Sequence, residues 1–481
     1  MMFERTPSSR KEQVQSSMKK PLILLTILLA LLFATVRQAH ESRSHRATAA
    51  GARVPLRDMI GVNAVVNNNP SDVARVAGWI RDYHKWYWYE ATPGVYTWGT
   101  GSQGLDRFYG TLSSLGVKVM PDVELAPDWA SSDGQPTGIP DAAAHARYLG
   151  RLVDHFGDTI AAVENYNEPS QTWESTRFPA SVFGAMTAGD YDAVKAANPG
   201  IPLVLAGMAG PDTSYLDAAN RASAGKFDVV NFHWYAEGDS TDGGKNPESG
   251  ELISSIDQMA EWRDVNAPGK PIWITEFGWD TFMQPDGRKS RVFAPEASAA
   301  NYLLRAIFMM QARGVEKGFV FTYRDPAVGS ADLQGMYSSA GLVTNNAEMD
   351  GRKKPGWYYL ATVKNVLGDY IFDRIVADGP NVYHYEYFVP GTEKRAAVLW
   401  AREGQRDSGY HLSYRGPAGT LVKPLDGLTT GMVSTTDGNL TLTERPLFVL
   451  HIATPTAVPA RSATVTPRSA RGVPAGDDFH Q

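Results

Sequence analysis

The feature of this sequence that most constrains its fold is a repeat of a short apolar strand, a loop and an amphipathic helix. The repeat begins near Leu56 and continues to about Leu367. Alternating strands and helices of this number predict a closed parallel (β/α)8 barrel. The predicted strands are Met59–Val66, Gly78–Tyr83, Val117–Val123, Ile160–Tyr166, Leu203–Gly207, Val229–Trp234, Ile272–Phe277 and Gly318–Tyr323, and the predicted helices include Leu105–Leu115, Ala142–Phe156, Val182–Ala197, Leu252–Asn266 and Ala297–Arg313.

A doubly wound open sheet is the alternative fold. It is disfavoured because no glycine-rich phosphate loop follows the first strand.

After Val366 the pattern changes to short alternating segments separated by turns, which predict a small all-β, sandwich-like domain. Its predicted strands are Asn381–Phe388, Arg395–Trp400, Gly409–Tyr414, Gly431–Ser434 and Leu447–Ile452.

We therefore divide the chain into four parts. Residues 1–53 form a signal peptide or membrane anchor with a spacer, residues 54–366 the barrel, and residues 367–454 the sandwich-like domain. Residues 455–481 are rich in Pro, Ala, Thr, Ser and Arg without apolar periodicity, which predicts a disordered tail.

The export prediction depends on one apolar run near the N-terminus. Lys19 and Lys20 precede Pro21–Val36, a run of 16 apolar or small residues. A signal-peptide core has about 7–15 such residues and a membrane-spanning helix about 20, so both a cleaved signal and a retained anchor fit. The preceding basic residues place the remainder of the chain outside the cytoplasm. We expect a periplasmic, extracellular or membrane-anchored protein.

Composition excludes several chemistries. The chain has no cysteine, which excludes disulfides, thiolate metal sites and cysteine nucleophiles. A net charge of −6, without a basic block beyond the leader, gives no surface for nucleic acid. No HExxH pair, phosphate loop or GxSxG elbow occurs. We expect neither a metal nor an organic cofactor.

Two glutamates stand where a barrel carries its chemistry. Glu168 follows the fourth predicted strand and Glu276 ends the seventh, and catalytic groups of such barrels lie at the carboxyl ends of strands. Strands four and seven face each other across the barrel mouth. Glycoside hydrolysis needs such a pair, because one carboxyl protonates the leaving oxygen while the other attacks the anomeric carbon or activates water. A separation of about 5–5.5 Å gives retention and a wider gap gives inversion.

The motifs around these glutamates resemble those of the clan A glycoside hydrolases. Asn167-Glu168-Pro169 is similar to the Asn-Glu-Pro signature of the clan, and Ile274–Gly278 resembles its seventh-strand nucleophile motif. His233-Trp234-Tyr235 resembles its sixth-strand His-x-Tyr. Within the clan, the layout is most similar to the β-xylosidase-like family 39, which includes endoglycosidases of bacterial exopolysaccharide operons.

The resemblance implies a role for each of these side chains. It makes Glu168 the proton donor and acid/base, and Glu276 the nucleophile. Asn167 would bind the sugar 2-hydroxyl, and Tyr235 would hydrogen-bond the nucleophile, with His233 polarising its surroundings. The eighth predicted strand departs from the clan because it carries Tyr323 where many members place a tryptophan beneath the sugar.

Further residues near the predicted strand ends bear on substrate binding. Aromatic rings stack on the C–H faces of sugars, although core packing explains any single tryptophan equally well. Asp122 and Glu124 either bind sugar hydroxyls or support Arg81, and we favour support. Glu164 is predicted to be a structural partner. The predicted aromatic sugar contacts are Trp86, Trp129, Trp173 and Trp279.

These observations predict a retaining glycoside hydrolase that cleaves β-linked bonds of a polysaccharide or oligosaccharide by double displacement. Two alternatives remain. A transglycosylase in exopolysaccharide or envelope remodelling would use the same residues, and a non-catalytic polysaccharide-binding protein would keep only the aromatic cleft. The β domain either binds carbohydrate or supports the barrel, and support is favoured.

Overall fold

The computed structural model describes residues 54–452, except for 67, 100–103, 172–177, 240, 284–286, 288, 327–336, 346–350, 380 and 402–410. The predictions for residues 1–53, for the tail 455–481 and for Trp173 lie outside this range. None of the helices within it is long and apolar enough to cross a membrane.

Eight parallel strands form the predicted barrel. Their hydrogen-bonded order is β5–β4–β3–β2–β1–β8–β7–β6. The ring closes between β5 and β6, because the Leu205 amide donates to the Val229 carbonyl at 3.2 Å and the His233 amide to the Met208 carbonyl at 2.7 Å. The (β/α)8 prediction is therefore confirmed. The strands are β1 (Ile60–Asn63), β2 (Trp79–Lys85), β3 (Lys118–Glu124), β4 (Val163–Glu164), β5 (Leu203–Val204), β6 (Val230–Trp234), β7 (Ile272–Phe277) and β8 (Val315–Val320).

Helices surround this ring. Among the described residues, Pro70–Val73 is the short helix after β1, and Leu56–Met59 and Trp86–Tyr89 are further single turns. The Asp141 side chain begins α2 by accepting a hydrogen bond from the Ala144 amide at 2.8 Å. The longer helices are α1 (Leu105–Ser114), α2 (Ala142–Phe156), α3 (Ala180–Ala197), α4 (Thr213–Ser223), α5 (Leu252–Asn266), α6 (Glu296–Ala312) and α7 (Pro355–Leu367).

Antiparallel strands follow α7. Six of them form a sheet in the order β14–β13–β16–β11–β10–β9, and β12 pairs with β15. Leu399, Leu442 and Val449 belong to the apolar cluster of this domain. The predicted all-β companion of the barrel is confirmed. The strands are β9 (Ile371–Asp378), β10 (Val382–Phe388), β11 (Lys394–Ala401), β12 (Leu412–Arg415), β13 (Gly419–Leu425), β14 (Leu428–Thr436), β15 (Asn439–Leu442) and β16 (Leu447–Ile452).

Helix α6 joins the two parts. Every residue from Ser298 to Ala312 is buried, which is expected of a helix covered on all sides. Phe308 on this helix contacts the rings of Tyr387, Trp400 and Phe448 from the sheet. Barrel and sheet therefore share one continuous apolar core.

A buried ion pair lies at the same interface. Glu248, in the segment between β6 and α5, accepts hydrogen bonds from Arg305 Nε at 2.8 Å and from Trp400 Nε1 at 2.9 Å. The Arg305 and Glu248 side chains are almost completely excluded from solvent. The Trp400 indole, on the sheet, is thus hydrogen-bonded to the Glu248–Arg305 ion pair of the barrel.

Several predicted elements differ from the structure. Strand β8 begins at Val315 rather than Gly318 and ends at Val320, so that Tyr323 lies beyond it. Helix α4 and strands β9, β13 and β15 were not predicted. Strand β15 is short and alternates exposed with buried positions, and Asp373-Arg374 interrupts the apolar residues of β9. The domain boundary at residue 366 stays a prediction.

Candidate active site

A cleft of about 990 Å³ opens at the carboxyl ends of the barrel strands. Residues that follow β1 to β4 and β6 to β8 line it, including Glu168 and Glu276. Among the described non-glycine residues with left-handed backbone, three border this cleft: Leu125, Glu168 and Tyr337. Such conformations are unfavourable for residues with a Cβ and tend to cluster at functional sites.

The two predicted carboxylates lie close together. One oxygen of Glu168 lies within 4.8 Å of one oxygen of Glu276. Both residues are largely buried, at 7% and 6% exposure, so bulk water screens them little. The Glu168 backbone has φ 41° and its amide donates to the Gly207 carbonyl at 3.1 Å. This turn directs the Glu168 side chain towards β6 and β7.

Hydrogen bonds surround the Glu276 carboxylate. Tyr235 Oη donates to its Oε2 at 2.7 Å, and Arg81 Nη1 donates to its Oε1 at 2.8 Å. Tyr83 Oη donates to the same Oε1. Burial alone would raise the pKa of Glu276, but the charges of His233 and Arg81 and the two phenol hydrogen bonds lower it below its ordinary value. The side chain is therefore held ionised.

Arg81 on β2 organises the floor of the site. Its Nε donates to Glu164 Oε2 at 2.8 Å, and its Nη2 donates to Asp122 Oδ2 at 2.7 Å and to Asn167 Oδ1 at 2.9 Å. Burial opposes the charge of the guanidinium, yet the carboxylates of Asp122, Glu164 and Glu276 raise its pKa well above its usual value. The predicted supporting roles of Asp122 and Glu164 agree with these contacts.

His233 lies behind Glu168. Its Nδ1 is 2.7 Å from Glu168 Oε1, and its Nε2 is 3.1 Å from Thr275 Oγ1. Burial lowers the pKa of the imidazole, but the Glu276 charge and the hydrogen bond with Glu168 raise it above its ordinary value overall. The ring is fully buried, so His233 positions the carboxylates and does not face the cleft. A side chain at Gly207 would overlap this ring.

The predicted aromatic contacts need correction. Trp86 is fully buried and its Nε1 donates to Glu90 Oε2 at 2.8 Å, while Trp279 is buried with its Nε1 on the Lys245 carbonyl at 2.8 Å. Trp129 is partly buried, donates to the Glu90 carbonyl at 3.1 Å and does not line the cleft. Trp86 and Trp279 lie beneath the surface and Trp129 lies outside the described cleft lining, so these placements do not support contact with a sugar. Among the residues that the structure describes, the aromatic side chains lining the cleft are Tyr83, Tyr166, Phe178, Tyr235, Phe321 and Tyr337.

Other residues of the site were missed or placed wrongly by sequence reasoning. Tyr83 was not predicted, although it stands two residues after Arg81 and strand alternation points both side chains into the barrel. Phe321, rather than Tyr323, lines the cleft, because Tyr323 is buried. Glu124 faces the cleft, unlike its neighbour Asp122. The charge of Arg81 still acts on the Glu124 carboxyl, so the favoured supporting role of Glu124 at Arg81 stays a prediction.

One group of described side chains has the spacing of metal ligands. Glu168, His233 and Glu276 each offer one atom, and these atoms lie within 4.8 Å of one another. Hydrogen bonds with Arg81, Tyr235 and Thr275 engage Glu276 and His233, and Glu168 is bonded to His233. The arrangement is therefore complete as a hydrogen-bonded carboxylate pair.

Comparisons with known proteins agree with the barrel. A sequence model described as the glycosyl hydrolase catalytic core matches residues 158–349, while no curated protein matches the chain significantly. A family 39 glycoside hydrolase from Bacteroides cellulosilyticus WH2 superposes with a TM-score of 0.63 at 19% identity, covering 83% of this chain and 81% of that one.

Two further structures have the same fold. A family 39 β-xylosidase from Caulobacter crescentus gives a TM-score of 0.56 at 16% identity, covering 84% of this chain and 98% of that one. The family 30 subfamily 8 xylanase from Clostridium acetobutylicum gives 0.53 at 14% identity, covering 84% and 95%. The predicted clan resemblance is confirmed: residues 158–349 match the model of a glycosyl hydrolase catalytic core, and the barrel has the fold of family 39 and family 30 glycoside hydrolases.

Proposed function

We propose that this protein is a retaining glycoside hydrolase that cleaves β-linked bonds of a polysaccharide or oligosaccharide by double displacement. The observation that supports this proposal is the distance between the two carboxyl groups: one oxygen of Glu168 lies within 4.8 Å of one oxygen of Glu276. Retaining enzymes hold their carboxyl groups about 5–5.5 Å apart, whereas inverting enzymes separate them by about 6.5–9.5 Å to admit a water molecule.

The surroundings of the two carboxyls favour different roles. Glu276 has a lowered pKa and three donors directed at it, which suits an ionised nucleophile. Glu168 contacts His233, and we assign it the proton transfers: it protonates the leaving oxygen, and then deprotonates the water that releases the glycosyl–enzyme ester. Asn167 lines the cleft beside Glu168, and its Oδ1 accepts a hydrogen bond from Arg81. This supports a role for its amide in binding a sugar hydroxyl.

Azide rescue tests both assignments. Glu276→Gly is expected to lose hydrolysis of an activated aryl β-glycoside by a factor on the order of 10⁴. Azide should restore turnover and give the α-glycosyl azide, because it occupies the face from which Glu276 attacks. Glu168→Ala with azide should give the β-glycosyl azide. Exposed Glu393 offers a control, and Glu393→Gly should keep full activity. Undiminished turnover in Glu276→Gly contradicts the proposal.

The purified protein also allows the two alternative functions, a transglycosylase and a non-catalytic binding protein, to be tested. A transglycosylase yields sugar chains longer than the substrate, and a hydrolase yields only shorter ones, so chromatography of the products decides between them. A non-catalytic binding protein would release no sugar from any polysaccharide of a broad panel. The hydrogen-bonded carboxylate pair favours catalysis over binding alone.

We also propose that the protein is exported, as a periplasmic, extracellular or membrane-anchored enzyme. The proposal is based on the apolar run Pro21–Val36 and the basic residues before it. Fractionation of cells that express the full chain, followed by N-terminal sequencing, tests it. A cytoplasmic protein with an intact N-terminus contradicts export, and an intact N-terminus in the membrane fraction indicates an anchor.

A further inference from the structure

Lys85 and Glu124 lie side by side at the rim of the cleft. Lys85 is the last residue of β2 and Glu124 the last of β3, and the two are register partners in the parallel sheet. Side chains two residues apart on a strand share a face, so Lys85 follows Arg81 and Tyr83 towards the barrel axis. Glu124 likewise follows Asp122. Both side chains line the cleft that holds the catalytic pair.

This pair differs from the charges beneath it. Asp122 and Glu164 are engaged by Arg81 in the barrel interior, whereas Glu124 faces the cleft beside the positive charge of Lys85. Burial raises the pKa of Glu124 to about 7, although the charges of Lys85 and Arg81 act to lower it. Near neutral pH the carboxyl group can therefore accept a hydrogen bond from a hydroxyl or donate one.

Neighbouring groups contact the segments that carry Lys85 and Glu124. The Lys85 ammonium lies 5.2 Å from the ring centre of Trp88, a tryptophan that is 54% exposed. Leu125, the residue after Glu124, has a left-handed φ of 56°, and its carbonyl accepts a hydrogen bond from the Tyr87 amide at 3.1 Å. The turns that follow β2 and β3 are thus bonded to each other, which holds Lys85 and Glu124 at a constant spacing.

We propose that Lys85 and Glu124 form a subsite for a neutral sugar unit, with one hydroxyl on the Lys85 ammonium and an adjacent hydroxyl on the Glu124 carboxyl. An ammonium donates and a carboxylate accepts, and a vicinal diol satisfies both. Above the pKa of Glu124, a uronate would bring its charge against an ionised carboxylate, and a free amino sugar would bring its charge against Lys85. Like charges placed together in an interface are unfavourable. The inference rests on the proposed function only in taking the cleft as a glycan site.

Three of the four other charged groups in the described cleft lining, Glu168, Glu276 and Asp325, have an ionisable partner. Glu276 is compensated by Arg81, and Glu168 contacts His233. Beyond β8, Arg324 donates through Nη2 to Asn345 Oδ1 at 2.9 Å. Its neighbour Asp325 pairs with Lys354 at 3.0 Å.

Charge exchange tests the subsite without depending on catalysis. The Glu276→Gln protein serves as the background, and its binding is measured by calorimetry. The neutral ligands are β-glucan, xylan and mannan oligosaccharides, the anionic ligand is a β-linked polyuronate, and the cationic ligands are chitosan oligosaccharides. We expect binding of at least one neutral glycan and preference for it over the charged ones. Lys85→Glu should weaken neutral binding by about tenfold and improve chitosan binding, because two carboxyls then face the sugar. Glu124→Lys should weaken it similarly and improve polyuronate binding.

The double exchange provides the decisive comparison. Lys85→Glu with Glu124→Lys restores one charge of each sign and should recover most of the neutral binding, which a merely structural role for the pair does not predict. Lys226→Glu, at the exposed Lys226–Asp192 pair, is the matched control and should leave binding unchanged. Preference of the background protein for a charged glycan, absence of neutral binding, or failure of the double exchange overturns the subsite. Absence of hydrolysis by the wild-type protein, with this binding pattern intact in the Glu276→Gln background, counts against the proposed function only.

Discussion

At the residue scale, the ionisation of Glu276 depends on the side chains that donate to it. Tyr235→Phe removes the 2.7 Å hydrogen bond to Oε2, one of the contacts that lower the pKa of Glu276. The nucleophile must be ionised, so activity is lost as the pH falls through this pKa. A higher pKa therefore moves the acid limb of the profile of kcat/KM against pH to higher pH, and we expect kcat to fall about 10²-fold. Tyr191→Phe, on the outer helix α3, serves as the control and should leave the acid limb in place. An unshifted limb in Tyr235→Phe contradicts the role of this hydrogen bond.

Arg81 is expected to matter for folding as much as for catalysis. Arg81→Met leaves Asp122, Glu164 and Glu276 buried without their shared cation. Removing one partner from a buried ion pair destabilises proteins by about 3–5 kcal/mol, and we expect a loss of at least this size in the free energy of unfolding, measured in urea. Arg221→Met removes an exposed pair with Asp217 and should change that free energy by less than about 1 kcal/mol. Equal effects of the two substitutions are incompatible with this account.

The sequence identifies residues that sit in distinctive motifs at strand ends. Glu168, Glu276, Asn167 and Tyr235 all line the cleft. Trp86 was misjudged because residues 86–89 form a helical turn after β2, and rotation about that turn buries Trp86 and exposes Trp88. A run of four aromatic residues does not reveal which ring faces solvent, since that depends on where the strand ends.

At the element scale, helix α2 depends on a side chain at its first turn. Asp141 accepts from the Ala144 amide at 2.8 Å, and it satisfies one of the amides that lack partners inside the helix. Asp141→Ala should therefore lower the free energy of unfolding by about 0.5–2 kcal/mol. Asp154→Ala on the exposed face of the same helix should change it by no more than about 0.5 kcal/mol. Urea titration of both variants checks this, and a larger effect of Asp154→Ala would refute the cap.

Prediction of elements succeeds where an element buries several large apolar residues and fails where it buries few. Strand β7 is buried at every position and its predicted bounds agree with the structure, as do those of α2 and α5. Strand β9 packs with one face only and was missed. Helix α4 was missed because its buried face consists of few apolar residues, chiefly Tyr215, Leu216 and Ala219.

At the scale of the whole molecule, barrel and sheet are expected to unfold together. Their contact through α6 is apolar, and Trp400 of the sheet stacks on Phe308 of the barrel. The sequence predicts both domains, but not this contact, because distant segments of the chain create it. Urea unfolding of the wild type, followed by tryptophan fluorescence and by circular dichroism, should give one coincident transition.

Glu248 is the residue whose removal most directly tests this coupling. Glu248→Ala leaves the Arg305 guanidinium buried without its carboxylate and takes away the acceptor of the Trp400 indole. An uncompensated buried charge costs about 3–5 kcal/mol, which is a large part of the stability of a typical domain. Glu393→Ala on an exposed turn of the sheet serves as the control and should have little effect. We expect the midpoint of unfolding in Glu248→Ala to fall for both probes alike, because the apolar contact at Phe308 remains. Separate transitions for the two probes in the wild type would show that barrel and sheet fold independently, and an unchanged midpoint in the variant would show that the buried ion pair does not stabilise their junction.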